Sequence, residues 1–455
     1  MSDTIAAIAT PQLPGAIGIL RLSGPDTLAA LDRVFRARNG RPAGAQQPRS
    51  MVYGDLLDRS GSVIDHVLCV RFAGPNSYTG EDCAEIHCHG SPVVLNAGLA
   101  ALLAAGCRQA RGGEFTQRAF LNGRMDLIQA ESVADLIDAE TAEAAKNAVC
   151  QLDGVLSRTI AGIYDSLMAM AARFYAVVDY PDEDIEDVQR QEMLDTLSRA
   201  QRELERLLAT FSRGQLLKQG VPAVILGRPN AGKSSLLNAL LGYDRAIVTE
   251  VAGTTRDTVE EKVRLGGQML RLCDTAGIRD ARDSVERIGV DRAVAAAERA
   301  SLSLVVLDGS VPLTGTEERI FALAQQAEHS LLLVNKSDLP RQAELAGLAD
   351  RFDGVCSVCA RTGEGVEQIG RLVQALYPQA VRTDGALLTN TRQAEAVGRA
   401  LAAVDRAQGA LSAALTPDAI LTDAEEALAA LGELTGKSIR EDLVATIFSR
   451  FCVGK

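Results

Sequence analysis

Val221-Pro222-Ala223-Val224-Ile225-Leu226-Gly227-Arg228-Pro229-Asn230-Ala231-Gly232-Lys233-Ser234-Ser235 is the stretch that decides the fold class of this 455-residue chain. Its first six residues are almost wholly apolar, as in a strand buried on both faces. The pattern G-x-x-x-x-G-K-S follows, and then Ser235-Leu236-Leu237-Asn238-Ala239-Leu240, a helix candidate. Strand, glycine-rich loop and helix in this order make a P-loop, whose backbone N–H groups and helix N-terminus receive phosphate. Lys233 is placed to reach the β- and γ-phosphates, and Ser234 to hold Mg²⁺.

Three segments further along specify the base and the nucleotide state. Asp274-Thr275-Ala276-Gly277 ends the strand candidate Met269-Leu270-Arg271-Leu272-Cys273 and fits the Asp-x-x-Gly element that senses Mg²⁺ and the γ-phosphate. Asn335-Lys336-Ser337-Asp338 ends the apolar run Leu331-Leu332-Leu333-Val334. A carboxylate at Asp338 accepts the two N–H donors of a guanine edge, which adenine lacks. Cys359-Ala360-Arg361 stands where such proteins carry Ser-Ala-Lys or Ser-Ala-Arg against the base. The hydrolytic group is left open, because Ile278 occupies the place of the water-orienting Gln of Ras-like proteins. Either hydrolysis is poor or another residue supplies that function.

Outward from this segment the texture changes twice. Residues 218–378 read as an α/β domain of Ras-like type inserted between two Ala/Leu/Glu-rich helical stretches, 119–217 and 379–455. Residues 1–118 alternate short strands with turns and one Leu/Ala-rich helix, which predicts a small α+β domain. Ala16–Leu22 and Val67–Phe72 are strand candidates, Arg59-Ser60-Gly61-Ser62 is a tight connection, and Leu95–Ala105 is helical. The fold class expected is therefore α/β plus α.

Composition narrows the function classes. With 47% hydrophobic and 23% charged residues, 40 Gly and 14 Pro, collagen-like and disordered readings are excluded. No apolar run approaches the ~18 residues of a membrane helix, and Met1-Ser2-Asp3-Thr4 lacks signal-peptide character, so a cytoplasmic protein is expected. The net charge of −12 rules out a general basic surface for nucleic acid, and RNA would need a local patch or a basic partner. Nine scattered cysteines argue against a disulfide framework. Cys356-x-x-Cys359 lacks a second pair at zinc spacing, and His87-Cys88-His89 reads as a strand with both histidines on one face.

Beyond the P-loop, the chain carries Ala252-Gly253-Thr254-Thr255-Arg256-Asp257, Asp274-Thr275-Ala276-Gly277-Ile278-Arg279 and Val285-Glu286-Arg287-Ile288-Gly289. It also carries Pro75-Asn76-Ser77-Tyr78-Thr79-Gly80-Glu81-Asp82, Gly113-Glu114-Phe115-Thr116-Gln117-Arg118-Ala119-Phe120 and the terminal Phe451-Cys452-Val453-Gly454-Lys455. With these the chain resembles, nearly end to end, the MnmE (TrmE) family of bacterial tRNA-modification GTPases. The resemblance implies a GTPase in which K⁺ replaces an arginine finger while G domains pair across a homodimer. Asn230 would be the side-chain ligand of K⁺, joined by oxygens of Thr249, Val251 and Thr254 in the loop that includes Glu250, Ala252 and Gly253. Thr255 would be the second Mg²⁺ ligand beside Ser234, and Glu286 the catalytic glutamate that places water.

The same resemblance implies a 5,10-methylene- or 5-formyl-tetrahydrofolate site at Arg21, Glu85, Arg124 and Lys455, with Arg124 where relatives carry Lys. Tyr78 would pack nearby. Cys452 is the family's C-terminal cysteine, catalytic or structural. The implied activity is addition of an aminomethyl-type group to carbon 5 of the wobble uridine of certain tRNAs. It requires a flavoprotein partner, MnmG (GidA), which carries FAD and NADH and most of the tRNA contact. The alternative is a regulatory GTP switch of ribosome-assembly type, without tRNA chemistry.

Overall fold

The computed structural model describes residues 3–179, 187–243, 261–272, 294–378, 387–413, 415–437 and 454. They fall into two compact units, one built from parts of 1–134, 150–204 and 396–455, the other from 135–149 and 205–395.

The first unit holds a seven-stranded sheet ordered β3-β4-β5-β6-β2-β1-β7. Its strands are β1 (Ile5–Ile8), β2 (Gly15–Ser23), β3 (Phe35–Ala37), β4 (Val52–Leu57), β5 (Val63–Phe72), β6 (Cys83–Gly90) and β7 (Arg108–Gln109). Alternation sorts each strand by face. Leu20 and Leu22 of β2, Leu56 of β4, Val67 and Cys69 of β5 and Ile86 of β6 enter one core with Leu31, Leu95 and Leu102 of the helices Thr27–Val34 and Pro92–Ala104. The helix Pro92–Ala104 lies close against the sheet: a Cβ at Gly98 would come within 2.6 Å of Leu20 Cδ1. Truncating Leu20 to Ala would cost about 2–5 kcal/mol. The turn read at 59–62 exists because Asp58 Oδ1 accepts from the amides of Ser60 and Ser62.

This unit also has long helices. Val155–Asp179 packs along Pro417–Thr435. Asp187–Leu208 buries Met193, Leu197, Ala200 and Leu204, and Thr391–Ser412 buries Ala396, Val397, Ala400, Ala403, Val404 and Ala407. Both sets follow the helical three-to-four spacing. Among the described residues, no helix is long and apolar enough to cross a membrane.

The second unit is built on a six-stranded sheet ordered β13-β12-β11-β8-β10-β9. The strands are β8 (Val221–Gly227), β9 (Glu261–Leu265), β10 (Gln268–Leu272), β11 (Leu302–Asp308), β12 (His329–Asn335) and β13 (Gly354–Ser357). All pairs are parallel except β9–β10. Val221, Ala223 and Ile225 of β8 pack with Leu236, Leu237 and Leu240 of the helix Lys233–Tyr243 and with Val366, Ile369 and Val373 of Val366–Leu376. Val224 and Leu226 pack on the opposite face with Phe321 of the helix Glu317–Ala324 and with Phe352. A strand covered on both faces must be apolar throughout, which is the pattern of 221–226. The fold class is α/β plus α, as the sequence indicates.

Candidate guanine-nucleotide site and N-terminal ligand site

In a parallel sheet the C-terminal strand ends share one edge, and ligands bind there where the strand order reverses. β8 sits at that reversal, between β10 and β11. Its end opens into the loop Gly227–Gly232 and the helix Lys233–Tyr243. Gly227 and Gly232 have φ of +153° and +102°, and Asn230 adopts φ +62°. At Gly232 a Cβ would sit 2.0 Å from Asn335 Nδ2, so no side chain fits. Lys233 Nζ donates to the carbonyls of Gly227 at 2.7 Å and Arg228 at 2.8 Å, folding its ammonium over the loop. Burial pulls that ammonium below the ordinary lysine range.

The base-reading segments stand at the ends of β12 and β13. Asn335, 3% exposed, donates from Nδ2 to the Ala231 carbonyl at 2.7 Å, and its Oδ1 accepts the Ala360 amide at 2.9 Å. One side chain thus ties the P-loop to the loop after β13. Lys336 Nζ pairs with Asp308 Oδ2 at 2.5 Å. Burial alone would raise the Asp308 carboxyl, but Lys336 and Ser310 outweigh it and hold it low. Asp338 accepts from the Cys359 thiol at 3.3 Å on Oδ1 and from Arg361 Nη2 at 2.9 Å on Oδ2. Both oxygens are thereby oriented. Cys356 is buried in the core, so the Cys-x-x-Cys spacing is divided between packing and the site.

Sequence reading missed two supports of this edge. Arg228 Nη1 bonds Glu317 Oε1 at 2.8 Å and Thr314 Oγ1 at 3.0 Å, and the Glu317 side chain is 6% exposed. Asp308 is the last residue of an apolar strand and pairs in register with Asn335. A carboxylate closing a buried strand beside the Asn-Lys-x-Asp segment is the signal that could have found it.

In the first unit, strand pairing brings Arg21 of β2 opposite Glu85 of β6. Arg21 Nε donates to Glu85 Oε1 at 2.9 Å, and Nη1 reaches the Gly454 carbonyl at 3.3 Å. The guanidinium lies 5.8 Å from the ring centroids of both Tyr78 and Phe115. Gly454 is buried at φ +100°, where a Cβ would meet the Ile8 carbonyl at 2.5 Å. Arg124 is exposed, its Cγ 3.3 Å from where a Gly80 Cβ would be. It makes no hydrogen bond to Arg21 or Glu85 among the described residues. His87 and His89 share a face of β6, paired with Glu85 at 3.5 Å and Asp65 at 2.8 Å.

The two N-terminal motifs meet in a charge network that sequence reading did not foresee. Arg118 donates to Asp3, to Glu81 Oε2 at 3.0 Å and to Glu114 Oε1 at 3.3 Å, and Arg108 grips Glu114 and Asp3 as well. Phe115, between Glu114 and Arg118 in sequence, is fully buried.

The structure therefore joins Asn230, Ala231, Gly232, Lys233, Ser234 and Ser235 with Asn335, Lys336, Asp338, Cys359, Ala360 and Arg361 along one edge, and Arg21 with Glu85 elsewhere. The expected site residues Thr249, Glu250, Val251, Ala252, Gly253, Thr254, Thr255, Asp274, Thr275, Ala276, Gly277, Glu286, Cys452 and Lys455 lie outside the described residues.

Known proteins share both halves. A profile of the MnmE helical domain matches residues 127–452, and one of the GTP-binding protein TrmE N-terminus matches residues 4–124. The tRNA modification GTPase MnmE of Roseiflexus sp. (strain RS-1) is 45% identical over 468 aligned residues, covering 100% of this chain and 99% of that protein. The chain belongs to the MnmE family. Its likeness to MnmE proteins spans their whole length: that of Heliobacterium modesticaldum is 42% identical, with 100% of each chain covered. The MnmE of Symbiobacterium thermophilum is 43% identical, covering 100% of this chain and 99% of its own.

Proposed function

We propose that this chain is a K⁺-dependent GTPase that acts on tRNA with a flavoprotein partner. GTP hydrolysis and Mg²⁺ binding come with the family. The observation that carries the reading is the Asn335 clamp, which aligns the phosphate loop with the Asp338 carboxylate as a guanine nucleotide requires. Ser234 and Thr255 would hold Mg²⁺, which neutralises phosphate charge. Asn230, Thr249, Val251 and Thr254 would hold K⁺ at the place of an arginine finger. The Asn230 side chain suits that role, being exposed and without a hydrogen bond among the described residues. Glu286 would place the attacking water, filling the gap left by Ile278.

Arg21, Glu85, Arg124 and Lys455 would hold methylene- or formyl-tetrahydrofolate. The Arg21 guanidinium suits the folate carboxylates and Glu85 the N–H edge of the pterin. Cys452 would lie beside this site. The one-carbon unit would go to carbon 5 of the wobble uridine as an aminomethyl or carboxymethylaminomethyl group, with FAD and NADH on the partner, MnmG. The N-terminal unit would form the homodimer contact.

The test is the GTPase rate in K⁺ against Na⁺, for the wild type and Asn230→Ala. The wild type should run at least about tenfold faster in K⁺, since one charge-stabilising contact is worth that much or more, and the variant should lose the difference while still binding GTP. Equal wild-type rates in the two salts refute the ion's role.

A further inference from the structure

The chain is acidic overall, yet residues 33–54 contain five arginines, Arg33, Arg36, Arg38, Arg41 and Arg49, and no Asp, Glu or Lys. The fold gathers part of this run at one border of the seven-stranded sheet, where β3 is the edge strand. Arg36 pairs in register with Asp55, and the Arg38 amide donates to the Tyr53 carbonyl. The Asp55 side chain, 5% exposed, accepts from Arg36 Nη2 at 3.2 Å and Arg38 Nη2 at 2.9 Å, with His66 Nδ1 at 2.9 Å. One buried carboxylate therefore fixes two guanidinium groups that stay 61% and 54% exposed. Two fixed positive charges against one negative leave the border positive. Arg41 and Arg49 are exposed just beyond it.

An aromatic ring completes the surface. Tyr53 is half exposed, with the Arg38 guanidinium 5.8 Å from its ring centroid. Register carries the Tyr53 row across the sheet to Leu68, His87 and Ile19, and Arg21 follows Ile19 on that face. The face is the one turned away from the core helices, because Leu20, Leu56, Val67 and Ile86 occupy the other. Three strand spacings, about 14 Å, separate β4 from β2.

We propose that this border binds RNA, with the sugar–phosphate backbone on Arg36, Arg38 and Arg41 and a base against Tyr53. The proposal rests on the tRNA reading above: a wobble uridine brought to the folate site at the Arg21–Glu85 pair needs its flanking strand carried along the same face. Arginine forks held in place suit phosphate, and the ring offers a stacking platform that reads no sequence. Asp55 acts as a positioning residue, keeping the forks outward.

The experiment is fluorescence anisotropy of an unmodified tRNA transcript with the full-length protein across a salt series. The Arg36→Gln/Arg38→Gln/Arg41→Gln variant should bind on the order of tenfold or more weakly, with the salt slope reduced by about two to three. Tyr53→Ala should lose about fivefold or more from stacking alone, with the slope unchanged. Arg41→Gln alone, whose side chain makes no hydrogen bond among the described residues, should reduce the slope by about one without disturbing Asp55. GTPase rates should be unchanged in all variants. Wild-type affinity and slope in the triple variant overturn the proposal, as does a wild type that does not bind the transcript. A variant that keeps RNA but loses the flavoprotein assigns the border to protein and also overturns it. The tRNA reading fails separately, if the wild type does not restore wobble-uridine modification to a strain deleted for its own MnmE.

Discussion

In the six-stranded sheet the nucleotide edge is assembled from segments that each follow their own strand: the P-loop after β8, Asn335–Asp338 after β12, Cys359–Arg361 after β13. In the seven-stranded sheet Arg21 and Glu85 are 64 residues apart and meet only because β2 and β6 pair in one register. Parallel topology delivers every strand end to the same side, so local motifs suffice to build the first site. An antiparallel register slipped by one residue would turn Arg21 into the core and Leu20 outward, and the second site would be lost. What holds that register then matters more than the site residues themselves. In the N-terminal unit one apolar face packed on helices sets the register and a charge network braces the chain beside it, while the nucleotide unit relies on an apolar sheet covered on both faces.

The largest expected effect tests this contrast at Arg118. Its guanidinium lies among Asp3, Glu81 and Glu114, and the Glu114 side chain is only 4% exposed. Removing Arg118 leaves Glu81 without its cationic partner and Glu114 and Asp3 on Arg108 alone, at a cost of about 3 kcal/mol, the lower end for a broken buried pair. Arg118→Ala should lower the melting temperature read by circular dichroism by several degrees, while GTP binding by the other unit persists. A melting curve that superposes on the wild type would show that charge does not hold this region.

Acid sharpens the same test. Burial alone would raise the Glu114 carboxyl, but Arg108, the Arg111 amide and Arg118 outweigh it and hold it below its ordinary value of 4.5. Arg108 and Arg118 likewise bring Asp3 down to about 2. Carboxyls with depressed folded pKa values stabilise fully above their unfolded values, and the contribution is lost as pH falls through the folded ones. Wild-type stability should thus fall between about pH 4.5 and pH 2, and Arg118→Ala should show a shallower acid limb. Parallel limbs would mean that Arg118 does not set these carboxyls.

The nucleotide edge should respond at one residue without loss of fold. Asp338→Asn replaces an acceptor-only group by an amide that meets one guanine N–H with its own. A hydrogen bond to a charged partner contributes about 1.5–3 kcal/mol, so GTP affinity should drop about 10- to 150-fold. Xanthosine triphosphate, which offers an acceptor there, should bind better than to the wild type. An unchanged order of preference would remove Asp338 from base recognition.

How much of this was legible follows the same division. Residues 221–235 announced strand, loop and helix because each is encoded within a few positions, and the Asp338 and Cys359 segments followed by spacing. The strands at 16–22 and 67–72 were legible too, from alternation. Nothing local, however, says that Arg21 faces Glu85, or that Glu81, Glu114 and Arg118 converge, since pairing between distant strands leaves no mark in either one alone. Family resemblance supplied Arg21 and Glu85 as a ligand pair but was silent on the network around Arg118, and on Asn335 as the clamp between two loops. Arg36 and Arg38 read in sequence as two of many arginines, and only the buried Asp55 beneath them shows that they are fixed.

The smallest expected effect is at Cys359, where the sequence departs from the usual Ser. Its amide is already committed to the Glu364 carbonyl at 2.9 Å, and the thiol donates a long bond of 3.3 Å to Asp338. Backbone geometry here does not depend on the side chain, and Arg361 still orients the other carboxylate oxygen. Cys359→Ser exchanges a weak donor for a stronger one at a buried position, so GTP affinity should stay within about threefold of the wild type. Cys359→Val deletes the donor and should weaken GTP by about two- to tenfold, the net worth of one ordinary hydrogen bond. Should Val match the wild type while Ser weakens binding, the thiol serves packing rather than Asp338, and orientation of the base-reading carboxylate falls to Arg361 alone. A site made of independent strand ends tolerates such a change at one of them, which a network of shared charges such as that around Arg118 does not.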